Sequence, residues 1–180
     1  MKNCKYFYFL LLFFSFMNIN CSSKNGRRQE EIIVISDFLN FYFRKILKNN
    51  NPIILKSFED EKINNCALLN EAKLAELGFR NNSSVKYNLD SLKLKFYPKF
   101  ITKKDIPNYF ISRSWDSFRK AHGNKFFILS SPVINKELNR IVISYESYCG
   151  DRCGDGEVAL YEKTVGGNWK LIKKYCEWIN

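Results

Sequence analysis

Alternating apolar and polar residues fill most of the chain from Lys125 to its end, and this pattern constrains the fold more than any other feature. In one stretch, Ile141, Ile143 and Tyr145 fall on the same side of an extended chain, as in a strand with one buried face. Turns that contain Gly or Asn separate the stretches, which is typical of consecutive antiparallel strands. The predicted strands are Lys125–Val133, Arg140–Cys149, Glu157–Val165 and Trp169–Trp178.

The front of the chain has the pattern of helices instead. From Gln29 to Lys48, apolar residues recur every three or four positions, which places them on one helical face. A second helix is predicted for residues 65–77, with Gly78 as its C-terminal stop. Because helices come first and strands last, the sequence predicts an α+β fold. In it, N-terminal helices pack on one face of a C-terminal antiparallel meander sheet.

The middle of the chain carries two further signals. Leu92, Leu94 and Phe96 alternate with Lys and Tyr residues, which predicts a half-buried strand that ends at Pro98. A short helix is predicted for residues 114–122, because a Ser at its start can cap it and a Gly follows it.

An apolar run near the N-terminus predicts the protein's destination. Lys2 and Lys5 precede Tyr6–Met17, twelve residues of which only one is strongly polar, and this order is typical of a secretory signal. At about 1.5 Å per residue, a helix of that length reaches about 18 Å, well short of a hydrocarbon core of about 30 Å. The sequence therefore predicts export, with residues 1–20 as a signal peptide, and not a permanent membrane span.

The apolar run is ended by Asn18-Ile19-Asn20-Cys21, and a polar stretch follows. This arrangement resembles the lipobox of bacterial lipoproteins, in which the Cys is diacylated and becomes the first residue. The resemblance implies lipidation at Cys21, a lipid-anchored tether at residues 21–28 and a single α+β domain at residues 29–180. Asn20 stands where that family has Gly, Ala or Ser, and Asn18 where it has a branched apolar residue. A soluble secreted protein with an ordinary signal peptide is therefore the alternative.

The number of cysteines favours lipidation. Removal of the signal peptide takes Cys4 with it and leaves five cysteines, an odd number that leaves one thiol unpaired in an oxidising compartment. A lipid on Cys21 leaves four that can pair. These four are Cys66, Cys149, Cys153 and Cys176.

The sequence Cys-Gly-Asp-Arg-Cys-Gly-Asp-Gly at positions 149–156 lies between two predicted strands. A structural disulfide from Cys149 to Cys153 is the leading interpretation, and its short loop contributes about 2 kcal/mol in the chain-entropy relation. A redox-active pair is another, although the spacing is not Cys-x-x-Cys. A metal site is the third, but two thiolates fall short of the four ligands of structural zinc. Calcium has three candidate ligands here: Asp151, Asp155 and Glu157. We predict no metal and no cofactor.

Cys66 and Cys176 have two possible states. If the loop pair is bonded, these two can bond to each other and tie the second predicted helix to the last strand. Such a long-range bond is worth about 4–5 kcal/mol in the same relation. The alternative is that both are buried free thiols.

Several short segments of the back half occur in a characteristic order: Ser130–Val133, Cys149-Gly150, Cys153–Gly156, Gly167–Lys170 and Glu177–Asn180. In this the chain resembles a family of small bacterial envelope proteins, many of them lipoproteins, over roughly residues 93–180. The family has no established activity, so the resemblance implies a fold and a location but no catalytic residue.

Signals for catalysis are weak. The only histidine is His122, at a basic helix end, and the densest acidic run, Glu59–Glu61, is typical of a solvated loop. Nucleophile-elbow, zinc-protease and phosphate-loop motifs are missing from the sequence. Trp115, Trp169 and Trp178 could line a ligand groove, but core filling is the expected role of such side chains.

Charge suggests the kind of partner. Without residues 1–20, 27 basic and 18 acidic residues remain, a net charge of +9. A lipid-anchored chain of this charge is attracted to anionic headgroups or acidic polysaccharide, whereas nucleic acid is excluded as a partner because no motif or basic stripe is present.

The leading hypothesis from sequence is a bacterial envelope lipoprotein that binds a partner or has a structural role. An envelope hydrolase or other enzyme with a cavity between helices and sheet is the first alternative. A protein that neutralises a toxin or inhibitor by surface contact is the second.

Overall fold

The computed structural model describes residues 26–46, 48, 52–58, 63, 66–79, 87, 89–108 and 112–179. Helix α1 covers residues 26–41 and continues as a π-helical turn, Tyr42–Ile46. Helix α2 is Glu71–Glu76 and helix α3 is Ser112–Ala121. The described 3-10 turns are Ala67–Leu69, Leu89–Ser91 and Lys103–Asp105. None of the helices in these ranges is long and apolar enough to cross a membrane.

The strands that the structure describes form one seven-stranded sheet. The strands are β1 Ile53–Leu55, β2 Lys99–Ile101, β3 Phe126–Leu129, β4 Val133–Ile134, β5 Arg140–Gly150, β6 Cys153–Lys163 and β7 Trp169–Ile179. The order in the sheet is β2-β1-β3-β5-β6-β7, and β4 pairs with β5 beyond the end of β3.

The combination of helices and a sheet confirms a mixed α and β architecture, but the predicted antiparallel meander is wrong for the sheet as a whole. Strands β3 to β7 pair antiparallel, whereas β1 pairs parallel with both β2 and β3, so the sheet is mixed. The sequence pattern misses β1 and β2 because each has only three residues. Alternation needs more positions than that to be recognised.

The helices also lie on both faces of the sheet, and not on one as predicted. Ile141 and Val142 are neighbours on β5 and are both buried, so the strand needs a layer on each side. Phe38 of α1 packs on the face of Ile141, with its ring 5.2 Å from the ring of Tyr161. Val142 faces the cluster that contains Leu69. We call these the α1 face and the opposite face; α2 and α3 both pack on the opposite face.

The strand predicted around Leu92–Phe96 is not a strand, although Leu92 and Phe96 are buried as the alternation requires. Two side chains of α1 take the place of a neighbouring strand. Ser36 accepts a hydrogen bond from the backbone N–H of Lys93 at 3.0 Å, and Asn40 accepts one from the N–H of Lys95 at 2.6 Å. The backbone polar groups are therefore satisfied by a helix, which local alternation cannot indicate.

The second predicted helix is divided into two pieces. The turn Ala67–Leu69 and helix α2 meet at Asn70, whose side chain accepts a hydrogen bond from the N–H of Lys73 at 2.9 Å and so begins a new helix. Gly78 has a φ of +84° and ends the helix, as predicted.

Candidate functional site

The Cys149–Cys153 disulfide closes the turn between β5 and β6, with Cα atoms 5.1 Å apart. Gly150 and Cys153 are the last pair of the β5–β6 ladder, so the bond lies at the very end of the hairpin. The Cys153 side chain is exposed and Cys149 is half-buried. Both cysteines of the predicted loop disulfide are therefore joined, and one of them is open to solvent.

The Cys66–Cys176 disulfide joins the segment before the 3-10 turn Ala67–Leu69 to strand β7, with Cα atoms 6.0 Å apart and a sequence separation of 110. Cys66 is only 2% exposed and belongs to the apolar cluster on the opposite face. The prediction of disulfide bonds is thus confirmed, and the alternative of two free thiols is wrong. Cys21 lies outside the described residues.

A group of polar side chains lies on the α1 face next to the loop. We call it the tyrosine–carboxylate cluster, and its members are Tyr42, Tyr145, Tyr161, Asp155 and Glu157. Tyr145 donates a hydrogen bond to Asp155 at 2.8 Å, and Ser147 donates a second one to the same carboxylate. The β5–β6 register explains the arrangement, because Tyr145 pairs with Glu157 and Ser147 pairs with Asp155 on one face.

The environment of Asp155 favours its charged form. Burial alone would raise the pKa of this carboxyl group, but hydrogen bonds from Ser147 and Tyr145 and the Lys125 ammonium group, 3.7 Å away, outweigh burial. The pKa of Asp155 therefore lies below its ordinary value. Asp155 is therefore an anion at neutral pH, and its oxygens already accept hydrogen bonds from Tyr145 and Ser147. Such a group is poorly suited to act as a general acid.

The phenols of the cluster stay protonated. Burial raises the pKa of both Tyr145 and Tyr161. The hydrogen bond to Asp155 and the charge of that group raise the pKa of Tyr145 further, and Glu157 raises the pKa of both phenols. Tyr42 is 0% exposed, and its hydroxyl group has no hydrogen-bond partner among the described residues. Its pKa is raised well above the ordinary value, chiefly by burial. These groups can donate hydrogen bonds but do not supply a base.

Glu157 is 7% exposed and forms an ion pair with Lys174 of β7 at 2.7 Å. Lys174 also contacts Glu177 at 2.8 Å. Hydrogen bonds to both carboxylates raise the pKa of Lys174 above its ordinary value. The charge of Glu157 is therefore compensated within the sheet, as a buried carboxylate requires.

A second buried carboxylate, Glu146, is 5% exposed and accepts a hydrogen bond from the Tyr148 hydroxyl group. Glu146 pairs with Gly156 and so lies on the opposite face, whereas Glu157 lies on the α1 face. A pair of carboxylates that acts on one substrate needs both groups on the same side of the sheet. These two are separated by the sheet and cannot work as such a pair.

The three calcium candidates do not form one site. Asp155 and Glu157 are on strand β6 with the partners described above, and Asp151 is exposed in the turn. No group of three or more His, Cys, Asp or Glu side chains that could hold a metal ion occurs in the ranges that the structure covers.

The remaining candidates are distributed over the fold. The Nε2 atom of His122 is 3.9 Å from Asp105, and its ring stacks on Phe118, so it has the helix-terminal position that was predicted. Trp115 and Trp169 are buried in the core. The acidic run Glu59–Glu61 lies outside the described residues.

Trp178 has a distinct role from the other two tryptophans. Its indole ring lies directly over the glycines at positions 154 and 156 of β6. A Cβ atom on Gly156 would come within 2.6 Å of Cε2 of this ring. The sequence pattern assigns these glycines to the loop, whereas in the structure they make room for an aromatic ring on the neighbouring strand.

Comparisons with known proteins add no assignment: no family model, curated protein or solved structure matches this chain.

Proposed function

We propose that this chain is an exported bacterial envelope protein, held at the membrane by a lipid on Cys21, that works by binding or structural association. The pair of disulfides is the observation that carries the proposal, because such bonds persist in oxidising compartments and are rare in the cytosol. They use four of the five cysteines that remain after removal of residues 1–20, and the fifth is Cys21.

The arrangement of the acidic groups supports binding over catalysis. The two buried carboxylates lie on opposite faces, and Asp155 and Glu157 are each engaged by a lysine on the α1 face. Carboxylates whose charge is already balanced by a lysine stabilise the surface on which they lie and do not transfer protons to a substrate. The hydrolase alternative would need a pair of free carboxylates on one face.

The surface of β7 supports an anionic partner. Lys170 and Lys173 are exposed and pair with Glu162 and Leu160, so both lysines lie on the opposite face, whereas the exposed Leu171 pairs with Tyr161 on the α1 face. Two exposed lysines on one face of a strand fit an anionic membrane surface, where they meet the headgroups. This proposed contact would lie on the same membrane that holds the lipid.

The anchor is tested by mass spectrometry of the N-terminus of protein extracted from a bacterial membrane fraction. We expect a mature chain that begins with diacylated Cys21, and a Cys21→Ala variant that leaves the membrane fraction. An unmodified N-terminus beyond Cys21 would contradict the anchor. Full-length protein in the cytoplasm with Met1 retained would contradict export itself.

The proposed surface is tested separately by binding of the Cys21→Ala protein to vesicles with and without anionic lipid. We expect binding only to anionic vesicles, and a loss of binding when Lys170 and Lys173 are both changed to Gln. Changing Lys103 and Lys104, two exposed lysines of another turn, is the matched control. Equal effects of the two double changes would show that net charge alone is responsible.

A further inference from the structure

We propose that the Cys149–Cys153 bond is a thiol–disulfide exchange site, at which a dithiol reduces the protein without unfolding it. Access to sulfur is the first argument. An attacking thiolate must approach one sulfur in line with the bond, and Cys153 is exposed, whereas Cys66 of the other disulfide is 2% exposed. This inference does not depend on the lipid anchor.

The hairpin around the bond has its own supports, which is the second argument. Tyr148 pairs with Gly154 and Gly150 with Cys153 in the β5–β6 ladder, and the Trp178 ring packs on Gly154. In the chain-entropy relation, closing so short a loop stabilises the fold much less than closing a loop with a sequence separation of 110. Reduction at the loop therefore leaves the strands paired.

Charges beside the loop are the third argument. One guanidinium nitrogen of Arg119 is 3.5 Å from where a Cβ on Gly150 would lie, and Arg152 is exposed in the turn itself. Asp151 in the same turn carries the opposite charge, and Arg119 also pairs with Asp116 at 3.0 Å. The cations next to the cysteines favour the thiolate that must leave when the bond breaks.

The reaction consumes one dithiol for each bond. A thiolate of the dithiol attacks Sγ of Cys153, the Cys149–Cys153 bond breaks, and Cys149 leaves as a thiolate. The second thiolate of the dithiol then attacks the dithiol sulfur that is bonded to Cys153. The mixed disulfide breaks, and Cys153 leaves as a thiolate. Two electrons and two protons pass from the dithiol to the protein, which gains two thiols, and the dithiol becomes a cyclic disulfide.

The test uses the oxidised full chain, purified without denaturant, and dithiothreitol as the probe. Samples taken over time are alkylated and mapped by mass spectrometry, so that the Cys66–Cys176 bond serves as an internal reference in each sample. We expect Cys149 and Cys153 to be alkylated at least about tenfold faster than Cys66 and Cys176. The near-ultraviolet circular dichroism spectrum should keep its native form while the first pair reacts.

Two outcomes would overturn the proposal. The first is alkylation of all four cysteines at one rate, which means that reduction follows global unfolding. The second is a loop bond that resists dithiothreitol as well as the buried bond does. Neither result would bear on the lipid anchor, which is measured at the N-terminus.

A matched pair of variants tests the contribution of charge. Arg119→Gln removes the cation next to the loop, and Lys120→Gln removes an exposed cation at the next position of α3. We expect the first change to slow reduction of the loop bond by about threefold and the second to leave its rate unchanged. Equal rates for the two variants would exclude Arg119 from the mechanism. A Cys149→Ser, Cys153→Ser double variant that loses its native circular dichroism spectrum would contradict the claim that the hairpin persists.

Discussion

The two faces of the sheet are closed by different means. On the α1 face, helix α1 and its π-helical extension supply the covering surface, and Phe38, Tyr42 and Phe43 pack on the strands. On the opposite face, the covering elements include α2, which has only six residues. A helix so short is not stable by itself in water. The Cys66–Cys176 bond fixes the segment before it to β7. A long amphipathic helix thus needs packing alone, whereas a short segment benefits from a covalent bond.

The largest expected effect comes from removal of that bond. Changing Cys66 and Cys176 to Ala should lower the free energy of unfolding by about 4–5 kcal/mol. The same change at Cys149 and Cys153 is the control and should lower it by about 2 kcal/mol. Urea unfolding monitored by circular dichroism measures both. Equal losses of unfolding free energy for the two cysteine pairs would show that the long-range bond stabilises the fold no more than the bond in the turn does.

A smaller loss is expected where the opposite face accommodates Trp178. Gly156→Ala places a methyl group within 2.6 Å of the indole ring and should lower the free energy of unfolding by about 1–3 kcal/mol. Gly166→Ala is the control, because its nearest neighbouring atom is 4.0 Å away. Fluorescence of Trp178 should shift in the first variant only. Unchanged stability in Gly156→Ala would mean that this ring moves aside without cost.

Acid sensitivity is expected on the α1 face. Since the pKa of Asp155 is lowered in the fold, its contribution is present above the pKa of the unfolded chain. The contribution is lost as the pH falls through the lower, folded value. Asp155→Asn should therefore be less stable than the wild type near neutral pH, and the difference should shrink as the pH falls below the ordinary pKa of an aspartate. Tyr145→Phe removes one donor and should have a partial effect. A constant difference across this range would contradict the assignment.

The smallest effect, of opposite sign, is expected at Tyr42. Its buried hydroxyl group has no hydrogen-bond partner among the described residues, so Tyr42→Phe removes a desolvation penalty while keeping the ring contacts. We expect a stability equal to the wild type or higher by up to about 1 kcal/mol. Tyr145→Phe, which breaks the hydrogen bond to Asp155, is the contrasting variant. A loss in Tyr42→Phe comparable to that in Tyr145→Phe would show that the hydroxyl group is bonded in solution.

The sequence predicts elements that local residues define better than elements that depend on contacts far away in sequence. The sequence predicts strands β5 and β7 to within one residue at each end, because alternation over eleven positions and neighbouring turns define them locally. The sequence does not indicate strand β1, because the strand has only three residues and pairs with segments far away in sequence. The segment at Leu92–Phe96 has the alternation of a strand, but side chains of α1 satisfy its backbone.

The candidate site was predicted only in part. The cysteines of the loop follow from their spacing, and Asp155 and Glu157 were singled out as possible ligands for calcium. Their partners Tyr145 and Ser147 could have been found, since alternate residues of paired strands share a face. Lys174 and Tyr42 could not, because a bulged register of β7 and the docking of α1 bring them there.

The bond between Cys66 and Cys176 also determines how the protein responds to tension. A force applied at its N-terminal end can pull away α1 and β1, which precede Cys66. It then meets a covalent ring that encloses β2 to β6 and most of β7. The residues inside this ring cannot be extended unless the Cys66–Cys176 disulfide is reduced. The ring therefore sets a fixed limit to mechanical stretching.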